Sequence, residues 1–386
     1  MKRILYIHNS ADRYGASRSL VRLVRALPRP AWQPVVVVPE DGPLLAELAS
    51  VGAETHVLRG LGVITRPAVA TWGGRVRFVA RAFASAAVLA RLMRREKIDL
   101  VHTNTGVIVS AGLAARLARR PHVWHVRDWF QEFGGVWPAY ARYMRCSADE
   151  IVAVSRAVAS QFPSAAGVTV IHNGFSLDEF VLPAENAALQ FREGHGLGDG
   201  FLVGCVGRIK AVRKGQEVLV EALALLAAEG RRPRCVIIGA PSPGNESHLV
   251  ALRELIEARG LSAQVALIGE IPDTRWAYPA LDVLVLPSAQ PEPFGGVVME
   301  AMAMGVPVIA TAVGGSVEQV AEGQTGLLVP PADPAALAAA IARLMDDPSL
   351  RRRMADAGPA RIREHFDLGQ MVSRLVAVYE RVLVGR

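Results

Sequence analysis

Two glutamates, Glu292 and Glu300, stand eight positions apart in PEPFGGVVMEAMAMGVPVIAT and bracket Phe294, Gly295, Gly296 and Val297. The apolar run VLVLP ends just before them at Pro287, so Glu292 is expected in a loop beyond the carboxyl end of a strand. Residues 294–297 would then open a helix, with Glu300 in its second turn. Backbone N–H groups freed at a helix start, together with the helix dipole, suit an anion such as a phosphate. Glycine there lets a ligand approach the backbone closely. Glu300 is placed to accept from paired hydroxyls such as those of a ribose. Glu292 would reach hydroxyls of a group carried beyond the phosphates. Each glutamate taken singly reads better as a surface charge, Glu292 in a loop and Glu300 on a helix face.

A second cluster of chemistry lies in VGRIKAVRKG, where Arg208 and Lys214 share one strand-to-helix loop and can converge on a pyrophosphate. In the first half of the chain, DRYGASR from Asp12 to Arg18 follows the first strand and includes Gly15 and Ala16. His125 in VWHVRD and His102 in LVHTNT end strands, and Asn173 with Gly174 in HNGF suits a tight turn. For His102 and Asn173 a structural role comes first and a site role second.

The elements that must carry these residues alternate between short apolar runs and helical patterns, the mark of parallel α/β units. Strands are expected at 4–8, 34–38, 53–58, 100–103, 122–125, 150–154 and 168–171. A second series runs through FLVGCVG, CVIIG, VALIG, VLVLP, PVIAT and TGLLVP. Between the two series VLPAENAALQFREGHGLGDG, residues 181–200, is polar and glycine-rich and reads as a linker. A chain of 386 residues, 51% hydrophobic, fits two domains. Two doubly wound sheets facing across a cleft would hold ligands at the carboxyl ends of their strands. Near the end, Met371, Leu375, Val378 and Leu383 form an apolar stripe at helical spacing.

Composition narrows the partners. The formal charge of +7 is uneven, with the first 180 residues at +10 and the remainder at −3. Arg75, Arg77, Arg81, Arg91, Arg94, Arg95 and Lys97 flank or interrupt an Ala/Leu-rich helical pattern, as on a basic helix at an anionic membrane surface; a solvated face is the equal alternative. Nucleic acid is not expected, for lack of interleaved aromatics and of any familiar binding motif. The three cysteines show no metal-ligand spacing. MKRILYIHNS is too short in apolar residues for a secretory signal and reads as a strand, which makes the cytoplasm the expected location.

Together these segments resemble the retaining glycosyltransferases of family 4, enzymes of the GT-B fold with two Rossmann-like domains. The resemblance rests on EPFGGVVMEAMAMGVPVIAT, on GRIKAVRKG, on VIHNGFSLDEF and on GLLVPPADPAALAAAI, and it extends over nearly the whole chain. It implies an acceptor domain over 1–182 completed by a terminal helix at 367–386, and a nucleotide-sugar donor domain over 183–366. It implies that Glu292 faces the donor sugar, that Glu300 holds the nucleotide ribose, and that Phe294 to Val297 expose N–H groups to the diphosphate and sugar. It implies further that Arg208 and Lys214 stabilise the leaving diphosphate, that His125 contacts the sugar, and that Gly15 lies near the reacting centre. Ala16 stands where that family usually has a second glycine. Asp12, Ala16, Arg18, His102 and Asn173 fall on the acceptor side.

The expected reaction transfers a sugar from a UDP- or GDP-sugar to a glycan or lipid-linked acceptor hydroxyl, with retention at the anomeric carbon. No Asp-x-Asp metal motif is present and no cofactor is expected. An epimerase of the same fold and a non-catalytic nucleotide-sugar-binding subunit are the alternatives.

Overall fold

The computed structural model describes residues 1–64 and 71–385, with the side chains of 131–133 excepted. It divides into two compact units: Met1–Gly174 together with the segment from Leu368 onward, and Phe175–Asp367.

The first unit is built on a parallel sheet of seven strands: β1 (Lys2–Ile7), β2 (Trp32–Val38), β3 (Glu54–Val57), β4 (Leu100–Thr103), β5 (His122–Val126), β6 (Glu150–Ala153) and β7 (Val168–Val170). Their order is β3-β2-β1-β4-β5-β6-β7, so the winding reverses between β1 and β4. In open α/β sheets the crevice at such a reversal is where ligands bind. Ile4, Tyr6, Val36 and Val38 pack in one core cluster with Leu20, Leu23 and Val24 of the helix Gly15–Ala26. The same cluster takes in Met371, Leu375, Val378 and Tyr379 of the terminal helix Leu368–Val384. Each such side chain removed from water contributes roughly 1.5–3 kcal/mol, which holds the terminal helix on this unit. Leu383, the last of that stripe, is partly buried against the same cluster, beside the buried Val382.

The second unit has a parallel sheet of six strands: β8 (Leu202–Val206), β9 (Arg234–Ile238), β10 (Val265–Gly269), β11 (Val283–Leu286), β12 (Val308–Thr311) and β13 (Gly326–Val329). Their order, β10-β9-β8-β11-β12-β13, reverses between β8 and β11. Alternate residues of each strand face opposite cores, as period-2 geometry demands. Val203 and Cys205 meet the helices Gln216–Ala228 and Pro334–Asp346, while Leu202, Leu284 and Leu286 meet the helix Gly296–Ala303.

Two expectations need correction. The chain passes from the first unit to the second at Gly174/Phe175 and returns at Asp367/Leu368, not at 182/183 and 366/367. The segment 181–200 is also no plain linker, because it holds a helix, Ala187–Gly194, whose Ala187 and Phe191 are buried, Phe191 in a core of the second unit. A helix with two buried residues in eight carries too little apolar period to register in the sequence.

Candidate functional site

In the second unit both candidate loops leave the strands at the β8/β11 reversal. The loop after β8 carries Arg208 and Lys214 and ends at Gly215, the N-cap of the helix Gln216–Ala228. Gly215 has φ +67°, and a Cβ there would run into the carbonyl oxygen of Pro287. Glycine therefore lets this loop lie directly on the loop after β11. Two further bonds join them, from Ala289 and Gln290 N–H to the Arg213 carbonyl at 3.1 and 3.3 Å. Gln216 Nε2 donates to the Arg208 carbonyl at 3.1 Å and braces the turn.

This seam brings Lys214 onto Glu292. The Nζ lies 2.5 Å from Oε1, and Ser288 Oγ donates to the same oxygen at 2.8 Å. Glu292 is 8% exposed. Burial pushes its carboxyl up, but Lys214, Ser288 and Arg213 outweigh burial and hold it below the usual range. A carboxylate so held is ionised at neutral pH and able only to accept. The sequence treats Lys214 and Glu292 as separate ligands; the structure makes them one ion pair.

Behind Glu292 the backbone is closely packed. Gly314, at φ +60°, leaves no room for a Cβ against the Glu292 backbone, and Gly315 N–H donates to the Glu292 carbonyl at 2.7 Å. The helix Gly296–Ala303 follows, with Gly295 as N-cap and no side chain capping it. Gln319 clamps Gly295 from both sides, accepting from its N–H at 3.1 Å and donating to its carbonyl at 2.9 Å. A Cβ on Gly296, by contrast, would meet no protein atom within 4 Å. Packing does not require that glycine, which leaves the space in front of it for a ligand.

Phe294 is turned inward: its ring stacks on Phe175 at 6.4 Å and meets Phe366 edge-on at 5.9 Å. Val297 is half-exposed beside Gly296. Glu300 is not the helix-surface charge its position allows. It is 5% exposed, and its Oε2 accepts from Tyr278 Oη at 2.9 Å and Thr274 Oγ1 at 3.4 Å.

The first unit assembles a different arrangement at its own reversal. His8 follows β1, Asn104 follows β4, and His125 and Arg127 close β5. The Arg127 guanidinium donates from Nε to Asn104 Oδ1 at 3.1 Å, from Nη1 to Asn173 Oδ1, and from Nη2 to His125 Nδ1 at 3.3 Å. Asn104 Nδ2 bonds His8 Nδ1 at 3.1 Å, and His8 Nε2 bonds Ser17 Oγ at 3.0 Å. Ser17 Oγ donates in turn to Asp12 Oδ1 at 2.8 Å, which also accepts the Tyr14 N–H at 3.0 Å. Asn173 accepts from Ser19 Oγ at 3.0 Å as well.

Burial dominates the titration here. It lowers His8 to about 4, opposed by Asp12 and assisted by Arg127. His125 is held well below the ordinary histidine value by burial, then by the charges of Arg127 and His102. His102 is likewise lowered, by burial first and Arg127 next. Arg127 itself is brought down to about 10 by burial, against Asp128 and Tyr379. The three histidines are therefore neutral at neutral pH while Arg127 stays charged.

His102 sits edge-on to His125 at 5.2 Å, and its Nδ1 lies 2.8 Å from Tyr379 Oη of the terminal helix. The Nε2 atoms of both His102 and His125 are buried without a hydrogen-bond partner among the described residues. Ala16 contributes its carbonyl to Asn104 Nδ2 at 3.4 Å, and Arg18 Nε donates to the Arg13 carbonyl at 3.1 Å, bracing the loop. At Gly15 a Cβ would meet no protein atom within 4 Å. Sequence reasoning missed His8, Asn104 and Arg127. Their only signal was position, directly after the β1, β4 and β5 runs.

Glu54, His56 and Glu96 lie close enough to hold a cation, but Arg3 already donates to Glu54 at 2.8 Å and Glu96 at 3.2 Å. The helix Trp72–Arg95 buries Ala82, Ala86, Leu89 and Met93 and exposes Trp72 (78%), Val76, Val79 and Phe83 (61%), a stripe at helical spacing. Arg77, Arg81 and Arg91 share the exposed side, whereas Arg94 donates to the Leu117 carbonyl and Arg95 pairs with Glu96. No described helix is long and apolar enough to cross a membrane.

Two Rossmann-like units, each with its candidate loops at the reversal of its sheet, give the chain the GT-B fold. The model of Glycosyltransferase Family 4 matches residues 14–179, and that of Glycosyl transferases group 1 matches residues 189–361. The chain is 31% identical over 247 residues to the lipopolysaccharide core biosynthesis mannosyltransferase LpcC of Rhizobium leguminosarum bv. viciae, covering 64% of this chain and 68% of that protein. It is 28% identical over 312 residues to the capsular polysaccharide biosynthesis glycosyltransferase CapM of Staphylococcus aureus, covering 76% and 79%. It is 37% identical over 201 residues to a D-inositol 3-phosphate glycosyltransferase of Corynebacterium urealyticum, covering 50% and 46%. The chain spans about half the length of most of the curated relatives it matches. The crystal structure of Anabaena Alr3699/HepE in complex with UDP and glucose shares the fold, with TM-score 0.84 at 24% identity over 98% of this chain and 100% of that one. The chain belongs to glycosyltransferase family 4, the glycosyl transferases group 1.

Proposed function

We propose that the protein is a retaining, metal-independent glycosyltransferase that moves a sugar from a UDP- or GDP-sugar to an acceptor hydroxyl. The acceptor is a glycan or lipid-linked glycan of bacterial exopolysaccharide, capsule or lipopolysaccharide assembly. The observation that carries this reading is the meeting of Lys214, Glu292 and the uncapped, glycine-opened helix Gly296–Ala303 at the β8/β11 reversal. The names of LpcC, CapM and the UDP-bound HepE structure support the substrate class.

In this reading Glu300 accepts from the ribose hydroxyls, and the N–H groups of Gly296 and Val297 meet the diphosphate. Arg208 and Lys214 oppose the negative charge that grows on the leaving diphosphate, an electrostatic role that needs no metal. His125 and Glu292 orient the sugar and shield its developing positive charge. The leaving phosphate takes the acceptor proton on the face from which it departs. Gly15 leaves room at the reacting centre, and Asp12, Ala16, Arg18, His102 and Asn173 lie on the acceptor side.

The test is a screen of UDP-, GDP- and ADP-sugars for hydrolysis, followed by transfer to glycan acceptors with the product anomer read by NMR. An α-linked donor giving an α-linked product is expected. An inverted product overturns retention, an epimerised nucleotide-sugar selects an epimerase, and binding without turnover selects a non-catalytic subunit.

The stripe of Trp72, Val76, Val79 and Phe83 with Arg77, Arg81 and Arg91 supports docking of the first unit on an anionic membrane, at its cytoplasmic face. Each basic residue at the surface contributes about 1 kcal/mol, screened over roughly 8 Å at physiological salt. Phosphatidylglycerol vesicles should float the protein at low salt, and Trp72→Ser with Phe83→Ser should release it. Failure of the unmodified protein to float removes the membrane from the reading and leaves the transferase untouched.

A further inference from the structure

We propose that Arg127 is the positioning residue of the first unit: one buried guanidinium sets, through the hydrogen-bonding sense of every group it reaches, which nitrogen of His125 and of His8 carries the proton. A guanidinium can only donate. Its Nη2 therefore requires a lone pair on His125 Nδ1, 3.3 Å away, and the neutral ring must keep its proton on Nε2. That Nε2 is the buried nitrogen left without a partner. Arg127 thus presents His125 as an N–H donor with no acceptor among the described residues.

The guanidinium's Nε acts in the opposite direction, toward β4 and β1. Donation to Asn104 Oδ1 at 3.1 Å fixes the Asn104 amide with its NH2 toward His8 Nδ1 at 3.1 Å. His8 Nδ1 must then accept, so the His8 proton lies on Nε2 and points to Ser17 Oγ at 3.0 Å. Ser17, having accepted, turns its hydroxyl hydrogen to Asp12 Oδ1 at 2.8 Å. Four successive donations, the first from the guanidinium itself, run in one direction, from Arg127 to Asp12 in the loop before Gly15. Nη1 meanwhile holds Asn173, which also takes the Ser19 hydroxyl. Networks of this kind are costly to leave half satisfied, so reversing one link propagates to the next.

That His125 and Asp12 then serve the transfer rests on the function proposed above; the tautomers do not. The test is long-range 15N–1H NMR of histidine-labelled protein at neutral pH, with signals assigned from His8→Gln and His125→Gln. In the unmodified protein both rings should show the neutral tautomer protonated on Nε2. Asn104→Asp changes one nitrogen to an oxygen and places an acceptor against His8 Nδ1. It should move the His8 proton to Nδ1 while His125, held directly by Arg127, keeps its own on Nε2. Arg127→Gln should release both rings to mixtures of tautomers. An amide 15N–1H spectrum as dispersed as that of the unmodified protein shows that each variant is folded. With the donor sugar established, Arg127→Gln should lower kcat at least tenfold. Rings protonated on Nδ1 in the unmodified protein, or a His8 tautomer indifferent to Asn104→Asp, would overturn the proposal without bearing on the transferase reading. Unaltered tautomers with a lost kcat would reassign Arg127 to direct substrate contact. If Arg127→Gln fails to fold, Asn104→Asp decides alone.

Discussion

The two units carry equivalent sheets and place their candidate residues at equivalent reversals, yet they hold those residues by opposite means. The first unit buries a chain of neutral imidazoles, amides and hydroxyls around one guanidinium, with each proton directed by its neighbour. The second relies on an ion pair, Lys214–Glu292, on the loops after β8 and β11, pressed together through Gly215 and backed by Gly314 of the loop after β12. A buried polar network is set by hydrogen-bond direction, which salt and small movements hardly alter. An ion pair whose lysine side chain is 26% exposed is set by distance and charge, and an incoming anion can compete for it. The first arrangement suits orientation, the second suits a charge that appears and leaves during turnover.

The most forceful way to break the comparison is at Lys214. Lys214→Ala should lower kcat about 10²- to 10³-fold, about 2.7–4 kcal/mol, because it removes a charge acting on the leaving group. Arg208→Ala should follow it. Steady-state kinetics with the identified donor measures both, and an unchanged kcat in the two variants would show that the second unit does not act through charge.

Acid should separate the units next. The folded His8 value of about 4 lies below its ordinary 6.5, so the unfolded chain takes up that proton first. Stability from the neutral ring is complete above about pH 6.5 and is lost as pH falls toward about 4, an effect of about 3 kcal/mol. Glu292 has its carboxyl lowered, so its contribution is present above the ordinary carboxylate value and is lost only below that. Urea unfolding at a series of pH values should show the first unit weakening at milder acidity, and His8→Gln should flatten that slope. An equal slope in His8→Gln would remove His8 as the cause.

The finest test divides the glutamates. Glu300→Gln should weaken binding of the free nucleoside diphosphate by about tenfold, through loss of a charge-assisted hydrogen bond to the ribose. Glu292→Gln should not weaken it, because the change frees Lys214 from its partner, yet it should impair transfer. Calorimetry reads both affinities, and equal losses would show the roles to be divided wrongly.

Much of this was open to inspection in the sequence. Most of the strands stand out as apolar runs, because buried parallel strands need them, whereas β3 at the sheet edge reads ETHV and buries none of its residues. Glu292, Gly295, Gly296 and Glu300 sit within a few residues of one another, so the helix start follows from local pattern, while the ligand chemistry proposed for it came from the family resemblance. The helix Ala187–Gly194 was lost because two buried positions make no period. The exposed apolar stripe of Trp72 and Phe83 was hidden beneath the more conspicuous arginines of the same helix.

What local pattern determined, then, was where strands end and which residues crowd the loops beyond them. Which of those residues meet was decided by sheet order. His8 and Asn104 are 96 positions apart and touch because β1 lies beside β4. Lys214 and Glu292 are 78 apart and pair because β8 lies beside β11. Tyr379, 277 positions from His102, reaches it only because the terminal helix returns to the first unit. Hydrophobic period is a property of neighbours in the chain, whereas strand adjacency follows from how whole βα units pack, and the proton directions around Arg127 exist only once that packing is complete.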